Sequence, residues 1–237
     1  MIEKIGELFV VSTPIGNLED ITLRALKTLH EADIIAAEDT RHAKKLLNHF
    51  QIHTPLTSYH DFNKEEKSEI LINKLKEGNH IAVLCDAGTP TICDPGYYLI
   101  RRAIQCDIRI IPIPGPTALI AALTGSGAPP DRFTFEGFAP RKRGPRQRWF
   151  ESLQQETKTI LFYESPHRIL SCLTDLISVL GDRDIILARE LTKTFEEFIR
   201  GKATEIKTQL EEKAIRGEIT VIIEGIKRSK KNKNKNH

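Results

Sequence analysis

Three segments rich in glycine and proline have the composition of ligand-binding turns. They are residues 12–17, 85–96 and 112–117. Glycine leaves the backbone uncovered and proline fixes its shape, so a small molecule can lie against main-chain atoms in such a segment. A single one of these segments could equally be an ordinary connection between a strand and a helix. Because a segment of this composition occurs three times, the sequence favours a binding site built largely from the backbone.

Each turn follows an apolar run that is typical of a buried strand, and each precedes a predicted helix. The three strands are predicted at residues 8–11, 81–84 and 108–111, and a fourth at 34–37. Predicted helices cover residues 20–31, 41–50, 65–77, 97–104 and 117–124, with a polar connection at 54–63. Alternating strands and helices describe a parallel sheet, whose carboxyl ends meet at one edge. This pattern predicts an N-terminal α/β domain over residues 1–118 with the binding site at that edge.

The second half of the chain predicts another α/β domain, over residues 119–226, after a linker region at 125–130. Strands are predicted at residues 133–138, 159–163, 184–188, 194–199 and 218–224. One helix surrounds Trp149 and Leu153, and another begins with Ser165 as its N-cap. The two strands on either side of residues 189–194 follow each other without a crossover helix, so this sheet should be mixed. The tail at 227–237 is predicted to be disordered.

Composition and missing motifs exclude several classes of protein. The chain is 40% hydrophobic and 28% charged, as in soluble globular proteins. It has no long apolar run and no signal-peptide pattern, so a cytoplasmic protein without membrane contact is expected. The four cysteines lack metal-binding spacing and are expected to be free thiols. Without dinucleotide, Walker, zinc-protease or serine-hydrolase motifs, hydride transfer, nucleotide hydrolysis, zinc chemistry and serine hydrolysis are disfavoured.

A basic segment interrupts the otherwise mildly acidic body of the chain. The tail holds six of the 35 basic residues and no acidic one, which leaves 29 basic against 32 acidic residues before it. Within residues 141–148, predicted as a loop, lie five cations: Arg141, Lys142, Arg143, Arg146 and Arg148. Such a loop is an electrostatic footprint for nucleic-acid phosphates. The alternative is a solvated charged loop with no partner.

Five ordered motifs give the chain a family resemblance. Residues 12–22, 37–41, 86–96, 114–118 and 163–168 together resemble the tetrapyrrole-methylase superfamily, and most of all its branch that methylates the 2′-oxygen of a cytidine in 16S rRNA. The resemblance implies a class III S-adenosylmethionine methyltransferase fold, with a parallel-sheet N-terminal domain and a mixed-sheet C-terminal domain. It also implies that S-adenosylmethionine binds without a metal in a cleft between the domains. The implied substrate is 16S rRNA of the small ribosomal subunit, near its decoding region, and the implied assembly is a homodimer.

The resemblance also assigns cofactor contacts in both domains. In the superfamily the central loop often reads Gly-Asp-Pro, which corresponds here to Gly88, Thr89 and Pro90, with threonine in place of the acid. The contacts implied for this chain are Ile15, Gly88, Thr89, Pro90, Ile92, Thr117, Ala118, Tyr163 and Glu218.

A 2′-hydroxyl is a poor nucleophile, so the implied reaction calls for a general base. Acids at the ends of predicted strands are Glu38, Asp39, Glu164 and Glu190. Glu38 is the first candidate, because it follows a first-domain strand and has Arg41 nearby to hold a phosphate or the carboxylate. Glu164 is the second catalytic candidate. In the alternative interpretation, Asp39 or Thr40 caps the next helix and Glu38 only pairs with Arg41.

Two other functions remain compatible with these motifs. A methylase of the same fold could act on a small tetrapyrrole or corrin, although such a substrate would not need the basic segment. A non-catalytic RNA-binding assembly factor could keep the fold, and it would bind RNA without affinity for S-adenosylmethionine.

Overall fold

The computed structural model describes residues 5–212 and 215–226. The chain divides into two compact units, Met1–Ala118 and Leu119–His237. The basic tail, for which the sequence predicts disorder, lies outside the described residues. Among the helices that the structure describes, none combines the length and apolarity needed to span a bilayer.

The first unit contains a sheet of five parallel strands. These are β1 (Leu8–Val11), β2 (Ile34–Ala37), β3 (Leu56–Ser58), β4 (Ile81–Leu84) and β5 (Ile110–Ile113), in the order β3-β2-β4-β1-β5. Its main helices are α1 (Leu23–Glu31), α2 (Thr40–His49), α3 (Lys64–Lys76) and α4 (Tyr97–Gln105). Two hydrophobic clusters cover the two faces of the sheet, one containing Val10 and Val83 and the other Val11 and Leu84. Burial on both faces explains the continuous apolar runs in the sequence.

The predictions for this unit were correct for β1, β2 and β4 and inaccurate at two other strands. The strand predicted at 108–111 begins two residues later, at Ile110. The connection predicted at 54–63 contains β3, which was missed because it is only three residues long and half-buried at the sheet edge. Helix α1 also begins later than predicted, after its N-cap Thr22, whose side chain accepts a hydrogen bond from the Ala25 amide.

The second unit contains a mixed five-stranded sheet. Its strands are β6 (Phe133–Phe138), β7 (Thr159–Glu164), β8 (Asp184–Arg189), β9 (Glu197–Lys202) and β10 (Ile219–Ile223), in the order β6-β7-β10-β8-β9. Strands β6 and β7 are parallel, and the other neighbours are antiparallel, as the sequence predicts for β8 and β9. The helices are α5 (Ala118–Ser126), α6 (Arg143–Leu153), α7 (Ile169–Leu180) and α8 (Ala203–Glu211). Phe150 and Phe162 lie fully buried in the core of this unit.

Three expectations for this unit were wrong, and one helix was missed. The predicted linker begins inside α5, which includes Gly125 and Ser126. Helix α7 starts at Ile169 and not beside Ser165, because residues 165–168 form a turn in which the Ser165 carbonyl accepts hydrogen bonds from two following amides. Strand β9 begins three residues late, after a turn in which Thr192 has a φ of 66°. Helix α8 was not predicted.

Candidate active site

The three glycine- and proline-rich turns of the first unit meet at the carboxyl edge of its sheet. The Thr13 amide donates to the Gly88 carbonyl at 2.8 Å, and the Gly88 amide donates back to the Thr13 carbonyl at 3.0 Å. This pair of hydrogen bonds joins the turn after β1 to the turn after β4. The predicted convergence of these turns is therefore confirmed, since parallel neighbouring strands bring their carboxyl ends together.

The hydroxyl of Thr89 links all three turns. Thr89 Oγ1 donates to the Pro116 carbonyl at 3.1 Å, so the Ser12 hydroxyl is the donor in its 3.0 Å hydrogen bond with the same atom. An ionised carboxylate at position 89 could not donate to that carbonyl. This geometry gives a physical reason why threonine, and not an ionised acid, suits this position.

Two glycines shape these turns, one through its backbone conformation and one through close packing. Gly88 has a φ of +86°, which strains any side chain, whereas a Cβ there would make only an ordinary contact of 3.4 Å with Cγ2 of Ile15. A Cβ on Gly115 would lie only 2.9 Å from Cβ of Ser12, so any side chain would push the first and third turns apart. Glycine is therefore required at position 88 by the backbone conformation and at position 115 by packing, and both leave main-chain atoms uncovered at this edge of the sheet, which we call the rim.

The turn after β4 is also conformationally strained. Thr91 and Cys93 have φ values of 77° and 68°, in the left-handed region that residues other than glycine rarely adopt, β-branched ones such as threonine least of all. Such residues cost on the order of 1–3 kcal/mol each and persist where surrounding contacts hold them. Outliers of this kind concentrate at ligand-binding sites.

The residues predicted to contact a cofactor fall into two groups. Seven of them lie in the three turns or at the start of α5: Ile15, Gly88, Thr89, Pro90, Ile92, Thr117 and Ala118. The other two belong to the second unit. The Tyr163 hydroxyl accepts from the Leu119 amide at 3.1 Å, and its ring packs against two phenylalanines. The carbonyl of Glu218 accepts from the Glu190 amide, and its assignment remains a prediction.

Glu38 lies immediately after β2 and is half-buried at the same edge as the three turns. Partial burial, together with the nearby negative charges of Asp94 and Asp86, raises the pKa of its carboxyl from 4.5 to about 7. Asp86 is fixed beside it, because its Oδ1 accepts a hydrogen bond from the Asp39 amide at 3.1 Å. A carboxyl with this pKa can accept a proton near neutral pH.

Asp39 and Arg41 form an ion pair with each other. Asp39 is the N-cap of α2, accepting from the Arg41 amide at 2.8 Å, and its Oδ2 lies 2.8 Å from the Arg41 guanidinium. These hydrogen bonds hold the pKa of Asp39 well below its usual range. The alternative interpretation was right about the cap and wrong about the ion pair, because the partner of Arg41 is Asp39 and not Glu38.

Glu164, the second catalytic candidate, is buried and holds a turn together. Its Oε1 lies 2.5 Å from the Arg168 guanidinium and accepts from the Ser165 amide at 2.7 Å. Its negative charge, after burial, contributes to raising the pKa of the Cys172 thiol. These contacts fit a residue that stabilises the β7–α7 connection. Nothing in the sequence distinguishes such an acid from Glu38, because both come directly after a predicted strand.

The basic segment is mostly helical, and one of its cations is buried. Helix α6 begins at Arg143, so the predicted loop is largely the first two turns of that helix. Arg146 is only 4% exposed, and its Nε and Nη2 donate to Asp175 Oδ2 at 2.8 and 2.6 Å. The assignment of Arg146 to an RNA-facing surface was therefore wrong. The spacing of Arg146, Phe150 and Leu153 already indicated an inward helical face.

Four cations remain exposed in this segment. They are Arg141, Lys142, Arg143 and Arg148. Arg143 also approaches the buried carboxylate, with its Nε 3.2 Å from Asp175 Oδ1. The pair of Asp175 and Arg146 therefore anchors the start of α6 while leaving a cationic surface, which we call the basic surface.

Comparison with protein-family models gives one match over most of the chain. A model of the Tetrapyrrole (Corrin/Porphyrin) Methylases matches residues 7–207. Relatives named "Ribosomal RNA small subunit methyltransferase I" include one from Halalkalibacterium halodurans, 51% identical over 93% of this chain and 76% of the relative. The relative of that name from Escherichia coli O157:H7 is 48% identical, with coverages of 94% and 79%. The one from Thermotoga maritima is 47% identical, with coverages of 93% and 99%.

Solved structures with low sequence identity share the fold. A diphthine synthase gives a TM-score of 0.71 at 16% identity, covering 92% of this chain and 90% of its own. A cobalt precorrin-4 methyltransferase of cobalamin biosynthesis gives 0.69 at 18% identity, with coverages of 92% and 94%. Together with the family match, these likenesses confirm the fold class predicted from the sequence.

Proposed function

We propose, on the premise that this chain belongs to the tetrapyrrole methylase family and within it to the ribosomal RNA small subunit methyltransferase I group, that it transfers a methyl group from S-adenosylmethionine to the 2′-oxygen of a cytidine in 16S rRNA. The family supports methyl transfer, and the names of the relatives support ribosomal RNA as the substrate. The observation that carries the proposal is the interlocked set of turns with a half-buried carboxyl of raised pKa beside it.

The residues of the rim fit S-adenosylmethionine. Its uncharged parts can lie against the uncovered backbone around Gly88 and against the Ile15 side chain, which are held together by the Thr89 hydrogen bonds. The acidic residues Glu38, Asp86 and Asp94 give the rim a negative field that favours a cation. When bound, the cofactor supplies a methyl group on a positively charged sulfur.

Glu38 acts as the general base in this proposal. Methyl transfer requires the attacking oxygen to lie in line with the methyl carbon and the departing sulfur. Such alignment can lower the activation barrier by about 7–11 kcal/mol. The 2′-hydroxyl must also lose its proton, and a carboxylate with a pKa of about 7 is basic enough to take it while still ionised in half of the molecules at neutral pH. Arg41 is not the partner of this carboxylate and remains available to a phosphate only through its exposed guanidinium.

The basic surface supplies the affinity for RNA. Phosphates are repelled by the acidic rim, so the phosphate backbone needs a cationic surface elsewhere. Arg141, Lys142, Arg143 and Arg148 provide one in the second unit. Arg146 contributes indirectly, since its ion pair with Asp175 fixes the helix that carries this surface.

Labelled S-adenosylmethionine tests the reaction directly. The purified protein is incubated with the labelled donor and, in separate reactions, with small ribosomal subunits, naked 16S rRNA or a porphyrinoid. We expect label in the rRNA, at a nucleotide whose 3′ linkage resists alkaline cleavage because its 2′-oxygen is methylated. Label on the porphyrinoid alone would show that the substrate is a tetrapyrrole. RNA binding without calorimetric binding of S-adenosylmethionine would identify a non-catalytic factor.

Charge-removal variants test the role of the basic surface. Replacing Arg141, Lys142, Arg143 and Arg148 by alanine should weaken RNA binding and leave the affinity for S-adenosylmethionine unchanged. Arg146 is kept, because its removal would leave Asp175 buried without its main partner. The matched control removes the same charge from exposed lysines on first-unit helices: Lys27, Lys44, Lys45 and Lys76. Equal losses of RNA binding in the two variants would show that net charge, and not this surface, determines the affinity.

The proposal includes a homodimer, as the family resemblance implies, and places it in the cytoplasm, as the sequence patterns predict. Light scattering coupled to size-exclusion chromatography measures the mass of the assembly. A single monomeric species at the concentrations used for the activity assay would remove the dimer from the proposal and leave the reaction itself untouched.

A further inference from the structure

Phe62 is the most exposed large apolar side chain among the described residues. Its exposure is 100%, although apolar rings of this size usually gain from burial. It lies in the connection that follows β3, one strand away from Glu38 in the sheet. Building on the proposed function, we infer that Phe62 forms a stacking site for a nucleobase of the RNA substrate, at or next to the methylated nucleotide.

The backbone on both sides of Phe62 is firmly held. Tyr59 is 1% exposed, and its hydroxyl accepts from the Leu99 amide at 3.1 Å and from Ser68 Oγ at 3.3 Å. After the ring, the Asn63 side chain accepts from the His60 amide at 2.9 Å. The ring is therefore presented by an ordered turn whose anchors point inward, so its exposure is not the result of a loose segment.

Register places this turn close to Glu38. Ser58 pairs with Ala37, and the Tyr59 amide donates to the Ala37 carbonyl at 2.7 Å. Tyr59 therefore lies beside the backbone that leads into Glu38. Phe62 follows Tyr59 by three residues, a reach of at most about 10 Å along the chain. From this register we expect one nucleotide, or two neighbouring ones, to span from the ring to the Glu38 carboxyl.

The charges of the neighbouring rim select which part of RNA can approach this turn. Glu38, Asp86 and Asp94 form the acidic rim. Asp61 also acts on Glu38 with its negative charge, although it is ion-paired with Lys64 at 3.1 Å. Phosphates are repelled from such a surface, whereas a base carries no net charge. A planar base can cover the apolar ring without bringing its phosphate into the rim.

Stacking on exposed aromatic rings is a common way to hold unpaired bases. A base held at Phe62 would fix the position of its nucleotide relative to Glu38, which the basic surface alone cannot do. This side chain therefore has the chemistry of a positioning contact for the nucleotide, in addition to supplying affinity.

Substitutions at position 62 separate stacking from simple apolar contact. Phe62→Ala should lower kcat/KM for the RNA about tenfold to a hundredfold, and Phe62→Trp should restore most of it. Phe62→Leu keeps apolar volume without an aromatic face and should stay close to the alanine variant. Ile104→Ala is the matched control, because Ile104 is 60% exposed on the last turn of α4. Calorimetric affinity for S-adenosylmethionine should be unchanged throughout, and because the ring is fully exposed each variant should fold.

A photocrosslinker at the same position gives a readout that does not depend on activity. With p-azidophenylalanine in place of Phe62, irradiation with the small ribosomal subunit should crosslink the rRNA within about two nucleotides of the methylated cytidine, as mapped by primer extension. A crosslink far from that nucleotide, or a Phe62→Ala variant within twofold of wild type, would overturn the inference. A Phe62→Ala protein that becomes monomeric would overturn it too, since the ring would then be a subunit contact. If the wild-type protein does not label rRNA at all, the proposed function itself has failed.

Discussion

The ionisation of Glu38 determines how the proposed reaction depends on pH. With a pKa of about 7, the carboxyl is half ionised at pH 7 and about one-tenth ionised at pH 6. Because the base must be ionised, the rate should fall about tenfold for each pH unit below 7 and level off above about pH 8. A glutamate of ordinary pKa would give a rate that is nearly independent of pH from pH 5.5 to 9.

Removing a neighbouring charge tests the cause of this behaviour. Asp94 is the first of the charged groups that raise the pKa of Glu38, after burial itself. Asp94→Asn should therefore move the acid limb of the rate profile to lower pH, to a midpoint between 4.5 and about 7. Asp107→Asn is the matched control, because Asp107 is exposed after α4 and asparagine tolerates its φ of 55°. Glu38→Gln should lower the plateau rate above about pH 8 by about 10²–10⁴ and should abolish the acid limb of the profile.

The raised pKa of Glu38 also predicts how the stability of the protein depends on pH. As the pH rises, stability should fall while activity increases. The folded-state pKa of Glu38 is raised, so its stabilising contribution is complete below about pH 4.5 and is lost as the pH rises through about 7. The stability of the Glu38→Gln variant, measured relative to wild type, should therefore be greater at pH 8 than at pH 4. We expect a gain of about 1 kcal/mol or less, because solvent screens a carboxyl that is half exposed.

The assay uses initial rates with both substrates far below saturation, which report the ionisation of the free enzyme. Rates are measured from pH 5.5 to 9 at constant ionic strength, and urea denaturation at pH 4 and 8 measures stability. A wild-type profile that is flat between pH 5.5 and 8 would refute a base with the raised pKa, and a Glu38→Gln variant with the wild-type plateau rate would refute Glu38 as the base. An acid limb that Asp94→Asn and Asp107→Asn shift equally would refute the assigned electrostatic cause.

Three further substitutions test the structural basis of the site. Gly88→Ala should destabilise the fold by about 1–3 kcal/mol, because its φ of +86° strains any side chain, and calorimetry should show weaker binding of S-adenosylmethionine. Thr89→Val removes the only donor to the Pro116 carbonyl among the hydrogen bonds described and should cost about 1–2 kcal/mol by urea denaturation, whereas Thr89→Ser should be nearly neutral. Asp175→Ala should cost about 3–5 kcal/mol by leaving Arg146 buried and unpaired, and the double variant with Arg146→Met should recover much of that loss.

The sequence predicts best those parts of the fold that depend on a continuous apolar run followed by a turn. Strand β4 has four buried residues in a row and is bounded by the glycine- and proline-rich turn, so its limits were correct. Strand β3 lacks both signals, since its three residues include threonine and serine and are only half-buried. Its pairing with β2 supplies what the local sequence does not, which is why only the three-dimensional structure reveals it.

The site shows the same division between local and non-local signals. Convergence of the turns follows from parallel strand order, which the sequence predicts through its alternation of strands and helices. The raised pKa of Glu38 could not be predicted, because Asp86 and Asp94 lie about 50 residues away along the chain and approach it only in the fold. The burial of Arg146 likewise depends on Asp175, in the next helix. Phe62 was placed in a polar connection, where the sequence gives no indication that an apolar ring would be left uncovered.

The two units carry opposite charges at the surfaces that the proposal uses. The acidic rim of the first unit is suited to a cationic methyl donor and to proton acceptance, and both would be impaired by unpaired arginines close to Glu38, which would repel the donor and lower the pKa of the carboxyl. The basic surface of the second unit is suited to phosphates and would lower the pKa of a carboxyl placed within it. Because each charge would disable the other function, separating them on two units allows one chain to hold a polyanion and still keep a basic carboxylate. Phe62, which carries no charge, is the kind of residue that can contact RNA at the rim without disturbing this separation.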